Sequence, residues 1–333
     1  MVQLKYIVLG CLFLLSCSGK EKHENVSVSG RQLFVNDAPY FMKGICYHPV
    51  EKGSETRSFD RIDADLEIMR DAGINTIRVY LPITERSVLD KIEAAGLKVI
   101  IGIGYNQGGK NDILSGSYLE YVNTYKDHNA ILLWELGNEY NYHPEWFDGS
   151  VSNWYSAMNA AAKAIKEVDS RRPVSTAHGE LPDSLALAMS PNIDVWGMNV
   201  YRWDNPETLF EQWAEISEKP MFLSEAGADS YMTAAMNGYE EGENEKAQAD
   251  AVRKILEDVV KNKDVCSGVT LFAFADEWWK AGNPDEHDKG GWAPNSFGVP
   301  YDGAPNEEYW GILDIDRNPK AAYQVVKEVF TSN

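Results

Sequence analysis

Positive charge is in short supply in this sequence. Lys and Arg number 31 against 51 Asp and Glu, a formal net charge of −20. Affinity for nucleic acid comes mainly from cationic side chains, so nucleic acid is not an expected partner. Cysteine is rare, with four in 333 residues. No Gly-x-Ser-x-Gly elbow appears, which disfavours a Ser-His-Asp hydrolase. No zinc motif is present. The acidic run Asp285-Glu286-His287-Asp288 lacks the ordered ligand spacing of a calcium loop. No cofactor or metal is therefore expected. No internal repeat, low-complexity tract or linker marks a second folded domain. What the chain has instead is apolar content, 44%, ample for a core. It also has 10 Trp and 17 Tyr, whose faces suit carbohydrate sites as well as large cores.

The N-terminal residues read as an address. Lys5 gives a positive start, and Tyr6 to Leu15 is an apolar run too short to span a membrane but right for a signal peptide. Leu14-Leu15-Ser16-Cys17 resembles the bacterial lipoprotein processing box. That resemblance implies cleavage after residue 16, a lipid on Cys17, and a location in the bacterial cell envelope. Residues 17–29 are polar and charged at their start and read as a tether. Residues 30–333 then form one catalytic domain, expected to be monomeric. Cys46 and Cys266 fall at opposite ends of their strands and are expected to be buried free thiols.

From Gly30 the pattern becomes regular. Gly30 to Tyr40 reads as a hairpin turning at Asn36-Asp37. Short apolar runs then alternate with helical periodicity. Strands are expected at 41–47, 76–80, 98–102, 131–136, 173–177, 195–200, 221–224 and 268–274. Helices are expected at 59–72, 87–95, 151–168, 206–217, 243–261 and 319–330. Gly73 and Gly96 sit where helix C-termini need them. Eight short strands with continuous apolar runs, each followed by a crossover, fit an α/β fold, the (β/α)8 TIM barrel, with a short N-terminal hairpin. An open doubly wound sheet is disfavoured, because no glycine-rich phosphate loop follows the first strand. The connection 275–318 is unusually long and carries Trp278, Trp279, Trp292 and Trp310, so it is expected to wall a cleft.

Chemistry on such a barrel occurs at the C-terminal strand ends. The fourth strand runs out through Trp134-Glu135-Leu136-Gly137-Asn138-Glu139, and the seventh through Phe222-Leu223-Ser224-Glu225-Ala226-Gly227. Glu139 and Glu225 should both reach the mouth, and two carboxyl groups facing one another are the working parts of a glycosidase. Glu135 lies within its strand and reads as structural or supporting. Glu180 and Glu277 are weaker loop candidates.

Here the chain resembles a known clan, the retaining glycoside hydrolases of clan A. Gly-Asn-Glu after the fourth strand and Ser-Glu-x-Gly after the seventh carry the likeness, with Arg78, Asn138, Tyr201 and Trp278 as further matches. Gly44, Asn75-Thr76-Ile77-Arg78 and Leu223-Ser224-Glu225 are similar to the catalytic barrel of the β-galactosidase/β-glucuronidase family. Phe41-x-Lys43-Gly44-x-x-Tyr47-x-Pro49 and Gly73–Tyr80 are similar to β-1,3-glucanosyltransferases. The flanking β-sandwich domains of the first family are not expected in this chain. The chain has Ala226 where the second carries an aromatic residue.

The resemblance implies Glu139 as acid/base and Glu225 as nucleophile. Arg78 and Tyr201 would favour the charged form of Glu225, and burial beside that anion would keep Glu139 protonated. Asn138 would bond the sugar 2-hydroxyl and Trp278 would floor the ring. Tyr47, His48 and His178 lie near strand ends within reach of sugar. The expected function is a retaining β-glycoside hydrolase, or transglycosidase, acting on a β-linked glucan or related polysaccharide. The alternative is a non-catalytic surface glycan-binding lipoprotein on a glycosidase-like barrel.

Overall fold

The structure is a computed structural model and describes residues 23–202, 205–289 and 306–332. The signal segment 1–16, Cys17, the start of the tether and Trp292 lie outside the described residues. Three short strands come first. β1 (Val26–Ser29), β2 (Gln32–Val35) and β3 (Ala38–Tyr40) form an antiparallel sheet. Gly30 turns between β1 and β2. Asn36 and Asp37, both at positive φ (51° and 67°), turn between β2 and β3 as two-residue hairpins favour.

The expected hairpin is present as β2 and β3, turning at Asn36-Asp37, and β1 adds a third strand to it. One expectation is corrected: the stretch 17–29 is not tether throughout, because Val26–Ser29 is β1. The reason is tertiary. The Val26 N–H donates to the Arg171 carbonyl at 2.9 Å. Its side chain is buried with Leu33, Met42, Ile100, Leu132, Leu133, Val195 and Phe222. The sheet thus plugs the N-terminal end of the barrel, a role that two valines among polar residues do not announce.

The barrel follows. Its elements in chain order are β4 (Met42–Cys46), α1 (Ile62–Asp71), β5 (Thr76–Val79), α2 (Arg86–Ala94), β6 (Lys98–Ile103), α3 (Tyr118–Tyr125) and β7 (Ile131–Asn138). Two 3-10 turns, Tyr140–Tyr142 and Pro144–Phe147, precede α4 (Val151–Val168). Then come β8 (Val174–Gly179), α5 (Ser184–Met189), β9 (Val195–Asn199), α6 (Glu207–Ile216) and β10 (Met221–Ala226). A small hairpin, β11 (Tyr231–Met232) and β12 (Gly242–Glu243), leads to α7 (Glu245–Lys261), β13 (Cys266–Leu271) and α8 (Ala321–Ser332).

Strands β4 to β10 pair in sequence order, all parallel, and β13 closes the cylinder between β10 and β4. This is the (β/α)8 TIM barrel expected from the sequence. Its strands are buried on both faces, hence the unbroken apolar runs. Trp134, Trp196 and Trp213 are among the largest fully buried side chains between the barrel and its helices. Helices α3 and α5 were not anticipated. In α3 the buried face is Tyr118, Tyr121 and Val122, and α5 is six residues long and buries Ala186, so neither shows a strong apolar stripe. Cys46 ends β4 and Cys266 begins β13, and both are free and buried, as expected.

The plug yields a stability prediction. Leu33 is 1% exposed and packed under the barrel floor. Leu33→Ala should lower the free energy of unfolding by about 2–5 kcal/mol, seen as a lower urea midpoint. An unchanged midpoint would show that the sheet does not support the barrel.

Candidate active site

The site is organised around a buried arginine. Arg78 lies on β5, fully buried, and its guanidinium fans out to three acceptors. Nε donates to Glu135 Oε1 at 2.7 Å, Nη1 to Glu225 Oε1 at 2.8 Å, and Nη2 to Asn138 Oδ1 at 2.7 Å. Burial works against the arginine's charge, but the carboxylates of Glu135 and Glu225 outweigh it and hold Arg78 protonated. β5 is thereby bonded to side chains on β7 and β10, on opposite parts of the rim.

Glu225, near the end of β10, accepts two further hydrogen bonds. Tyr80 OH donates to Oε1 at 2.9 Å and Tyr201 OH to Oε2 at 2.6 Å. Tyr80 was missed in the sequence although the signal was there. It stands two residues after Arg78, and strand side chains alternate, so both face inward. Asn199, which ends β9, donates to Asn138 Oδ1 at 3.1 Å and accepts from Ser224 Oγ at 2.7 Å. With its oxygen engaged by two donors, the Asn138 amide offers its NH2 group to a ligand.

Glu139 follows β7 in an unusual backbone setting. Gly137 is at φ +70°, and a Cβ there would meet the Trp154 ring at 2.4 Å. The register between β7 and β8 shifts at this point, and a second shift between β9 and β10 lies just before Glu225. Such bulges re-aim side chains at strand ends. Glu139 itself is left-handed, φ +56°, a conformation that costs a non-glycine residue about 1–2 kcal/mol. Its N–H donates to the Ala177 carbonyl at 2.9 Å. The Glu139 carboxyl is pushed up to about 7, first by burial and then by the charge of Glu225. A hydrogen bond from Asn199 and the charge of Arg78 pull it back in part. The two glutamates are thus electrostatic neighbours with distinct surroundings.

An aromatic cluster stands beside Tyr201. Phe272, just past β13, meets Tyr201 edge-on at 6.3 Å, and Trp310 packs on both, at 5.7 Å from Phe272 and 5.1 Å from Tyr201. Trp278, the expected floor, stacks instead on His287 at 5.1 Å with Lys52 Nζ over its ring at 4.2 Å. Phe272 reads in the sequence as an ordinary strand residue. Its carbonyl lies 2.4 Å from where a Cβ of Gly227 would be, which explains why glycine is required there.

Two of the remaining candidates belong to the core. Tyr47 is 1% exposed and its hydroxyl donates to Asp65 Oδ2 at 2.7 Å, toward α1 and away from the mouth. His178 uses both ring nitrogens. The Glu180 carbonyl can only accept, so Nδ1 carries the proton at 3.1 Å, and Nε2 accepts from Tyr155 OH at 3.1 Å. Burial lowers its pKa and keeps it neutral. His48 does lie at the edge of the site, stacked on Trp279 at 4.8 Å and 6.2 Å from the Tyr80 ring. Burial pushes it down to about 4, so it is neutral. Glu180 pairs with Arg202, whose Nη2 is 2.7 Å from Oε2.

The Glu139 shift has a consequence for stability. Its carboxyl binds a proton more tightly folded, near 7, than at its ordinary value of 4.5. The native chain therefore loses stability as pH rises through that window. Glu139→Gln imitates the protonated acid. Its melting temperature should gain on wild type between pH 4.5 and 7 and keep a constant lead above about 8. A lead independent of pH would remove the coupling.

With this geometry in hand, the likeness to known proteins can be located. Residues 105–332 match the family described as Glycosyl hydrolases family 2, TIM barrel domain. The β-glucuronidase of Sus scrofa is 26% identical over 282 residues, 75% of this chain and 40% of that protein. The β-glucuronidase of Mus musculus is 25% identical over 281 residues, 75% of this chain and 41% of that protein. The chain thus spans about two fifths of the curated relatives it matches. Among solved structures, a family 2 β-galacturonidase from Eisenbergiella tayi bound to galacturonate superposes with a TM-score of 0.68 at 22% identity. It covers 93% of this chain and 55% of its own. The β-D-glucuronidase of Dictyoglomus thermophilum gives 0.67 at 19%, covering 93% and 54%. The family match includes β7, β10 and the strand ends bearing Glu139 and Glu225, and on that extent the chain belongs to glycosyl hydrolase family 2, through its TIM barrel domain.

Proposed function

We propose that the chain is a retaining β-glycoside hydrolase that cleaves β-linked glycans by double displacement. The observation that carries this reading is the division of labour between two facing glutamates. Glu225 is held by Arg78, Tyr80 and Tyr201, all of which donate to it. Glu139 is held as an acid with a pKa of about 7 by burial and by that same neighbour. Two carboxyl groups in contrasting surroundings are what acid/base and nucleophile assignments require.

In this reading Glu225 Oε attacks the anomeric carbon while Glu139 gives its proton to the departing glycosidic oxygen. A covalent glycosyl ester forms on Glu225 and the aglycone leaves. The negative charge beside Glu139 is then gone, so its carboxylate is matched to take a proton from water. That water attacks the anomeric carbon, and Glu225 departs as carboxylate with net retention. The Asn138 NH2 donates to the sugar 2-hydroxyl, and Phe272 with Trp310 supports the ring. The same intermediate can be intercepted by a sugar hydroxyl, which is transglycosylation. The relatives are named for uronides, and the substrate of this chain is proposed at the level of a β-linked glycan.

Glu225→Ala should abolish turnover. Glu139→Ala should slow substrates with poor leaving groups by about 10²–10⁴-fold while sparing activated aryl glycosides. Wild-type kcat should fall as pH rises through about 7, and this alkaline limb should vanish in Glu139→Ala. The first product seen by proton NMR should be the β anomer. Full activity in Glu225→Ala, or an α product, would refute the assignment.

We further propose that residues 17–25 tether the barrel to a membrane through a lipid on Cys17, with residues 1–16 removed. The residues around Cys17 support this. Cys17→Ser expressed in a bacterium should move the protein from the detergent-extracted membrane fraction to a soluble one. An unchanged distribution would eliminate the anchor.

A further inference from the structure

The connection after β13 brings a lysine into the site already described, and its partners bear on which sugars fit there. Lys280 Nζ lies 4.1 Å above the Phe272 ring, beside the tyrosine that holds Glu225. It is bound by two carboxylates, Glu277 Oε2 at 2.9 Å and Glu307 Oε2 at 3.4 Å. The three groups lie within electrostatic range of the two glutamates. Lys280 and Glu277 both sense the charge of Glu225, and Glu139 senses that of Glu307.

We propose that the sugar subsite beside Glu225 is built for an uncharged hexose and rejects a uronic acid, because Glu277 and Glu307 occupy the ammonium that a uronate would need. This rests on the glycosidase reading and sharpens its substrate class. The charge arrangement supports it. Two further cations among the described residues are also paired. Arg78 is filled by Glu135, Glu225 and Asn138, and Arg202 by Glu180. Lys280 donates a hydrogen bond to Glu307 and lies within ion-pair distance of Glu277, so two carboxylates already match its charge. A uronate carboxylate would have to displace one of these glutamates. Displacing Glu277, 6% exposed, would strand a carboxylate in a buried setting. Otherwise it would sit among like charges without a cation of its own. The β-glucuronidases and the β-galacturonidase that resemble this chain are named for acidic sugars, so the proposal sets this chain apart from them.

The test is a set of matched 4-nitrophenyl β-glycosides on the full chain: glucoside against glucuronide, and galactoside against galacturonide. The better hexoside should exceed its own uronide in kcat/KM by about a hundredfold or more. Glu307→Gln should narrow that ratio by about tenfold, because it frees one ammonium donor and removes one like charge. The ratio is informative because both sugars use the same acid, so any change in Glu139 cancels. Glu277→Gln is the second variant and should act in the same direction. A uronide cleaved as well as its matched hexoside by wild type would overturn the proposal, as would a ratio unmoved in both variants. If no glycoside is cleaved, the catalytic reading fails separately. Tryptophan fluorescence titration with methyl β-glucoside and methyl β-glucuronide then decides the charge preference. Tighter binding of the neutral sugar supports it, and equal, inverted or absent binding overturns it.

Discussion

The ion pair between Arg78 and the carboxylates of Glu135 and Glu225 is the constraint on which the site depends. A charged guanidinium at zero exposure is tolerable only when each of its faces is bonded. Two strands, β7 and β10, supply the acceptors, so the charge of Arg78 on β5 ties all three together at one end of the barrel. Removing the arginine would leave two buried carboxylates facing each other. That loss typically costs about 3–5 kcal/mol for one broken pair. Stability and chemistry therefore share one side chain. The same bond that fixes the orientation of Glu225 also balances its charge, and Glu135 is what keeps the arginine from swinging toward the mouth.

Glu139 is positioned by the opposite strategy, strain instead of pairing. It takes no guanidinium and sits left-handed behind a glycine that fits only because it has no side chain. The bulge at Gly137 spends backbone energy to turn the chain outward at the strand end, and the hydrogen bond to Ala177 holds it there. A carboxyl that is buried and faces an anion without a cation of its own keeps its proton. The contrast between Glu139 and Glu225 is therefore written into their backbones and neighbours, since the two side chains are chemically identical.

The sequence shows some of this and hides the rest for physical reasons. Periodicity exposes the barrel because its strands are buried on both faces, and the strand-end motifs expose Glu139, Glu225, Arg78 and Asn138. Alternation along β5 would have shown Tyr80 as well. The plug strand Val26–Ser29 is concealed because its burial comes from residues far away in the chain. Tyr47 and His178 were misplaced for a related reason. A strand-end position says that a side chain is near the mouth, but not whether its polar atom turns inward to Asp65 or Tyr155. Trp278 stands out in the sequence through the family resemblance, whereas Phe272, which strand geometry puts next to Tyr201, reads only as a strand residue.

The long connection after β13 shows how an irregular segment can form a firm wall. Its beginning and its end, 272–289 and 306–320, are fastened to each other and to the barrel. Asp276 Oδ1 accepts from the Gly311 N–H at 3.0 Å and from Lys320 Nζ at 2.6 Å. Ala275 bridges Leu313, and the Gln248 amide on α7 donates to the carbonyls of Ala228 and Gly311. Burial raises the Asp276 carboxyl to about 7 even with Lys320 and the Gly311 N–H pulling it down. Trp310 lies one residue before Gly311, and Lys280 four residues after Asp276. Both are therefore placed by that junction. The aromatic cluster at Tyr201 and the lysine above Phe272 thus take their positions from a junction that does not involve Glu139 or Glu225, so this wall is fastened without adding strain at either glutamate.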